Sequence, residues 1–172
     1  HLTRGGPATL RGAITLDGRP LPFAQAAVAG LIAAQADPLS GAFEVVGAPA
    51  EGELEVEITA AGCYSQRLAT ADRDLGTVAL TLRPDTTVLT QGGSRLYLPA
   101  RTRATHGGGV VHLEQGVLWV ISEPGATAPG FEILAGDYRL SGSGADFAIE
   151  ALPDVLPRLY VSRGEVTAVS AG

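Results

Sequence analysis

Apolar and polar residues alternate in short runs along most of the chain, and Gly, Pro, Asp and Ser separate the runs. Glu53-Leu54-Glu55-Val56-Glu57-Ile58 shows the pattern most strictly. Leu54, Val56 and Ile58 fall on one face and three carboxylates on the other, the period of a half-buried strand. Thr9 to Leu16 alternates as well and stops at Asp17-Gly18, a dipeptide that tolerates the positive φ of a tight turn. Ala42 to Val46 predicts a strand between the turns Asp37 to Gly41 and Gly47 to Gly52. A strand starting at Gly62-Cys63-Tyr64 runs to about Ala69, and Thr77 to Leu82 closes the first half. Gln25 to Ala34 is rich in Ala and permits a helix, but the prolines at 20 and 22 favour a strand of small side chains.

The second half repeats the style without repeating the sequence. Predicted strands cover Thr87 to Thr90, Arg95 to Leu98, Gly109 to Glu114, Val117 to Ser122, Phe131 to Ala135, Tyr138 to Ser141, Asp146 to Glu150, Arg158 to Arg163 and Glu165 to Val169. Turn formers lie between them, among them His106-Gly107-Gly108, Glu123-Pro124-Gly125 and Gly142-Ser143-Gly144. Trp119 follows the alternation of its strand and is expected in the core. Arg83-Pro84-Asp85 reads as a junction. The expectation is an all-β chain of two directly joined β domains, an N-terminal Ig-like or transthyretin-like sandwich over residues 9–83 and a second β domain over residues 84–172, preceded by an arm, residues 1–8.

Composition narrows the function classes. With 45% hydrophobic and 17% charged residues, the 172-residue chain has material for packed cores and is too apolar for disorder. Its net charge of −6 argues against nucleic acid as a partner, because phosphate binding needs a basic surface. The longest apolar stretch, Ala26 to Ala34, is far short of the roughly 20 residues that cross a bilayer as a helix. All basic residues are Arg, and Met, Lys and Asn are absent, a bias that a GC-rich genome explains. The absence of Met also makes His1 the expected product of processing. One cysteine, Cys63, leaves no partner for an internal disulfide, and a buried inert thiol is the default for it.

Residues 9–82 resemble the carboxypeptidase regulatory-like domain through Leu10-Arg11-Gly12-Ala13-Ile14, Asp17-Gly18-Arg19-Pro20-Leu21, Ser40-Gly41-Ala42-Phe43-Glu44-Val45, the run Leu54 to Tyr64, and Asp74-Leu75-Gly76-Thr77-Val78-Ala79-Leu80. The resemblance implies a non-catalytic transthyretin-like spacer or adhesion module. Residues 86–172 resemble the FecR-type domain through Gly93-Ser94-Arg95-Leu96-Tyr97-Leu98, Val110 to Val120 about a central Gly, Phe131-Glu132-Ile133, Ser141 to Ile149 and Val161 to Val169. Where that family carries Gly-Thr-x-Phe, this chain has a Gly- and Ser-rich turn before Phe147, so a role for the Thr hydroxyl does not carry over. FecR-type domains imply a periplasmic regulator that passes a receptor signal to an anti-sigma segment. Such regulators carry a membrane helix before the domain, and a regulatory-like sandwich stands there instead.

Candidate chemistry is sparse. An N-terminal His1 with a second imidazole would suit a copper brace, but His106 and His112 belong to the other domain. Glu51, Glu53, Glu55 and Glu57 space carboxylates at roughly 7 Å along one strand face, a calcium arrangement only if further oxygens converge. A solvated face is the plainer reading. No nucleophile elbow, phosphate loop or zinc-protease helix motif is present. Ser143 between two glycines reads as a turn residue. The sequence therefore predicts a non-enzymatic exported protein without cofactor, at the cell surface or in the periplasm. Its expected partner is protein, through self-assembly into a filament or layer in which His1, Leu2, Thr3 and Arg4 pair with a neighbour's sheet edge. A FecR-like periplasmic sensor is the alternative, and a copper protein using His1 the second alternative.

Overall fold

The computed structural model describes residues 6–21, 23–128 and 130–170. These residues form seventeen strands and no helix, so the chain is all-β. Backbone contacts divide it into two compact units, His1–Arg83 and Pro84–Gly172.

The first unit contains β1 (Ala8–Leu16), β2 (Arg19–Pro20), β3 (Gln25–Val28), β4 (Ala34–Gln35), β5 (Ala42–Ala48), β6 (Leu54–Thr59), β7 (Gln66–Thr70) and β8 (Asp74–Ala79). In one sheet β1 is central, antiparallel to β5 and β2 and parallel to β8. The other runs β4-β3-β6-β7, antiparallel throughout. Leu10, Ile14, Phe43 and Val45 of the first sheet and Ala26, Val56 and Ile58 of the second are buried. This is the inward-facing set that alternation selects when two sheets share an apolar layer. Burying a side chain such as Ile58 or Leu10 is worth about 1.5–3 kcal/mol.

Three local details differ from the sequence expectation, the first being the closing strand, which is β8 at Asp74–Ala79 and not Thr77 to Leu82. Gln25 to Ala34 is not one element: the strand stops at Val28, the chain turns through Ala29-Gly30, and pairing resumes only at Ala34. The Leu31 amide donates to the Val28 carbonyl across that turn, with Gly30 at φ +79°. Cys63 does not open a strand but forms an isolated bridge to Leu82, flanked by bonds from the Tyr64 amide to the Thr81 carbonyl and from the Arg83 amide to the Gly62 carbonyl.

The second unit holds β9 (Thr87–Gln91), β10 (Ser94–Leu98), β11 (Arg103–Gly107), β12 (Val110–Ser122), β13 (Glu132–Ala135), β14 (Tyr138–Gly142), β15 (Asp146–Ala151), β16 (Arg158–Arg163) and β17 (Val166–Ser170). Sequence reading places two strands around Gly116, whereas the structure has one strand of 13 residues. Its first half pairs with β11 and, in parallel, with β13. Its second half pairs with β10 and β15. One layer is thus β9-β10-β12-β15-β16 and the other β11-β12-β13-β14-β17, with β12 passing between them.

Gly116 permits that passage. Its φ of +108° is a conformation L side chains avoid, and a Cβ there would stand 2.9 Å from the Thr102 Cα. The Thr102 hydroxyl uses the close approach to donate to the Val117 carbonyl at 2.6 Å. Leu96, Val111, Leu118, Ile133, Leu140, Phe147 and Ile149, drawn from both layers, form one apolar core. Trp119 is buried, but it points away from that core because Leu118 and Val120 on either side of it point in. Its ring stacks on Tyr97 of the adjacent strand, with centroids 5.2 Å apart and planes 8° from parallel.

Candidate interaction surfaces

Among the described residues the structure does not gather those that the sequence singled out for metal chemistry. His1, and with it the arm residues Leu2, Thr3 and Arg4, lies outside the described residues. His106 and His112 lie on the two arms of the β11–β12 hairpin. His106 stands opposite Val111 and His112 opposite Thr105, so the two imidazoles project from opposite faces. Glu53 precedes β6, Glu55 is exposed, and Glu57 pairs with Arg67 of the neighbouring strand at 3.4 Å. Glu51 lies in the preceding turn, whose Pro49 and Gly52 carbonyls accept from the Arg73 guanidinium at 2.6 and 2.9 Å. Among the described residues no three His, Cys, Asp or Glu side chains converge as a metal set would.

Cys63 is buried, and desolvation of the charged form pushes its thiol from 9.0 up to about 11, which suppresses the nucleophilic thiolate at neutral pH. Ser143 is held in its turn by donating to the Thr127 carbonyl at 2.9 Å. Asp37 caps the turn before β5. Its carboxylate accepts from the Ser40 amide at 2.8 Å, the Ser40 hydroxyl at 2.9 Å and the Leu39 amide at 3.0 Å. These bonds, with the Ser40 amide foremost, hold its carboxyl below the ordinary value.

A polar clamp that sequence reading did not single out joins four strands of the second unit. The Ser94 and Ser122 hydroxyls lie 2.8 Å apart, and Ser122 donates to the Ala145 carbonyl. Asp146 Oδ1 accepts from the Ser122 amide at 2.7 Å and from Arg163 at 2.9 Å. Arg163 also donates to the Ser122 carbonyl. The clamp fixes the end of β16 against β12 and β15, where the outermost strand has no second neighbour among the described residues. Its one sequence signal is position, since Asp146 and Arg163 flank the turns at Gly144 and Gly164.

Two open grooves lie on outward sheet faces. The first unit has one over Ala27, Ala29 and Ala69 beside Glu55, Glu57 and Arg67. The second has one of about 590 Å³ lined by Thr127, Phe131, Glu132, Ser141, Glu165 and Thr167. Glu132, Ser141 and Thr167 lie in one cross-strand row over β13, β14 and β17.

β16 and β17, at the two ends of the strand order, are mostly exposed. Each pairs with a single strand among the described residues, and the two are not paired with each other. Register puts Leu159 opposite Ile149 and Val161 opposite Phe147, so both share the core side of the sheet. Even so, Leu159 is 36% and Val161 42% exposed. On β17, Ala168 stands opposite the core residue Leu140 and is exposed too. The outer strand β9 contrasts with them, for its inward Leu89 packs against the core. The free edge of β17, Val166-Thr167-Ala168-Val169-Ser170, carries no charge and no proline, the usual devices that blunt edge pairing.

No family model and no curated protein sequence matches the chain. Among solved structures it is similar to a chain in a crystal structure of a type II cohesin–X-dockerin complex, a C-terminal interface mutant, from Acetivibrio cellulolyticus. That similarity has 24% sequence identity and a TM-score of 0.35, and covers 43% of this chain and 57% of the other. No helix among the described residues is long and apolar enough to cross a membrane.

Proposed function

We propose that the chain is a non-enzymatic, exported interaction module that associates with copies of itself by adding a strand to a free sheet edge, with residues 1–7 as donor, since Ala8 of the predicted arm already belongs to β1. The observation that carries this reading is that β16 and β17 each pair with a single strand among the described residues, inward-facing Leu159 and Val161 of β16 lack cover, and β17 carries no charge or proline. Strand addition supplies main-chain hydrogen bonds to the edge and apolar cover to the inner face together. The resemblances of residues 9–82 to a regulatory-like spacer domain and of residues 86–172 to a FecR-type domain agree with a role in protein recognition outside the cytoplasm. The scattered histidines and the exposed carboxylates favour a binding role over catalysis. Sedimentation velocity on the full chain and on a form lacking residues 1–7 tests the reading. Association at micromolar concentration that disappears on removing those residues supports it. A monomeric full chain, or association unaffected by the deletion, overturns it.

A further inference from the structure

We propose that β17 is a self-pairing edge, along which two copies of the chain join antiparallel about a two-fold axis through Ala168. The contact is separate from the strand donation above, since it uses none of residues 1–7. β17 pairs with β14 alone among the described residues, and Thr167, Ala168, Val169 and Ser170 are all exposed. A two-fold axis normal to the sheet keeps the core side of one copy on the core side of the other, so residues that meet across it share a face. Centring the axis on Ala168 engages all five residues of the strand: Val166 faces the copy's Ser170, Thr167 its Val169, and Ala168 its own counterpart.

Charge selects both the partner and the orientation. Glu132, Ser141 and Thr167 form one outward row across the sheet, and Leu134, Arg139 and Val169 form the next. Glu165 leads into β17 and lines the same groove as Glu132 and Thr167, so this end of the edge is acidic. The antiparallel match continues the row ending at Thr167 into the copy's Val169 and Arg139, and each acidic end meets the other chain's basic one. Arg139 also meets Glu132 of its own chain at 3.3 Å. The two copies of Glu165 stand six positions apart, about 20 Å along the strands and beyond the Debye length of about 8 Å at physiological salt. β9 is uncharged as well, but its outward Thr90 stands opposite Arg95 and its outward Val88 opposite Tyr97, with no acid in either pair. β11 and β16 carry arginines of their own. Two five-residue strands bury less than the roughly 1,200–2,000 Å² of a stable interface, so the contact is weak and forms above the micromolar range in which residues 1–7 act.

The test uses full-length chains. In a Cys63→Ala background, a Thr167→Cys chain is mixed with a Val169→Cys chain at several hundred micromolar and oxidised. A disulfide-linked species of doubled mass is expected from the mixture and not from either chain alone, because like positions lie diagonally, about 7–8 Å apart, too far for a disulfide. A second pair of variants gives a readout without cysteine. Thr167→Lys with Val169→Lys sets like charges opposite each other across the axis, whereas Thr167→Lys with Val169→Glu sets opposite ones. In sedimentation equilibrium the first is expected to associate at least tenfold more weakly than the parent chain, and the second at least as tightly as the parent. Both substitutions lie on an exposed face, and the thermal midpoint seen by Trp119 fluorescence checks that each chain is folded. Equal association by the two variants, or a mixture that cross-links no better than its single components, overturns the β17 pairing. Association that depends on residues 1–7 without a cross-link between positions 167 and 169 overturns it while strand donation stands. A full chain that is monomeric at micromolar concentration yet gives that cross-link overturns strand donation and supports the β17 pairing.

Discussion

Replacing Gly116 by alanine tests how β12 serves two layers. The residue stands at φ +108°, outside the region L residues adopt without cost, and holding alanine there costs about 1–3 kcal/mol. The added methyl would also lie 2.9 Å from the Thr102 Cα and 3.1 Å from its hydroxyl oxygen. Backbone cannot swing aside as a side-chain tip can, so relieving that contact adds about 1–3 kcal/mol. It also strains the Thr102 bond to Val117. The expected loss is therefore about 2–6 kcal/mol, a large part of the roughly 5–15 kcal/mol that stabilises a typical domain.

Trp119 is the chain's single tryptophan and lies in the second unit, so its fluorescence in a urea titration reports that unit alone. With a denaturant slope of about 1.5 kcal/mol per molar, a 3 kcal/mol loss lowers the midpoint by about 2 M. Gly108→Ala is the control. It is also left-handed, at φ +58°, but an added Cβ there meets open space. The control isolates strain, at about 1–2 kcal/mol. If Gly116→Ala costs no more than Gly108→Ala, the Thr102 contact is not what holds the bend and the reasoning fails.

Three further predictions concern particular side chains. Arg163→Met removes the donor shared by Asp146 and the Ser122 carbonyl and is expected to cost about 1–2 kcal/mol, discounted because the guanidinium is partly exposed, with a drop of several degrees in the Trp119 melting midpoint; an unchanged midpoint refutes the clamp. Cys63 should react with iodoacetamide at pH 8 about 100-fold more slowly in the folded chain than in urea, because a thiol raised from 9.0 to about 11 exposes correspondingly less thiolate. Its raised value stabilises the fold below pH 9, and that contribution is lost as pH rises towards 11; equal labelling rates in both states would contradict the burial. Asp37 has a lowered value, so its contribution is present above its ordinary 3.8 and is lost as pH falls through the folded value. The stability difference between the parent chain and Asp37→Ala should accordingly shrink from about pH 6 to about pH 3, and a difference independent of pH would count against the turn-capping role.

Most of the strands were legible because alternation is a local property that survives whichever partner a strand finds. β6 is the clearest case: the residues that alternate in sequence, Leu54, Val56 and Ile58, are the ones buried. β11 escaped notice since Arg103-Ala104-Thr105-His106-Gly107 has one apolar residue, and an outer hairpin strand can form on main-chain pairing with β12 alone. The reading of Gly116 as a break reflects the ordinary meaning of glycine between two apolar runs. Only close approach to Thr102, 14 positions earlier, makes it a bend within one continuous strand.

The candidate surface divides along the same line. Charge, composition and alternation are sums and local patterns, and from them the sequence by itself determined an all-β chain. Arg163 and Asp146 are 17 positions apart, and pairing between β15 and β16 brings them to 2.9 Å. Leu159 and Val161 alternate as core residues should, and alternation correctly assigns them a face. Whether that face is covered depends on how far the opposite layer extends, a property of two sheets together that no run of neighbouring residues encodes. The tertiary structure alone decided that Leu159 and Val161 of β16 stay partly exposed.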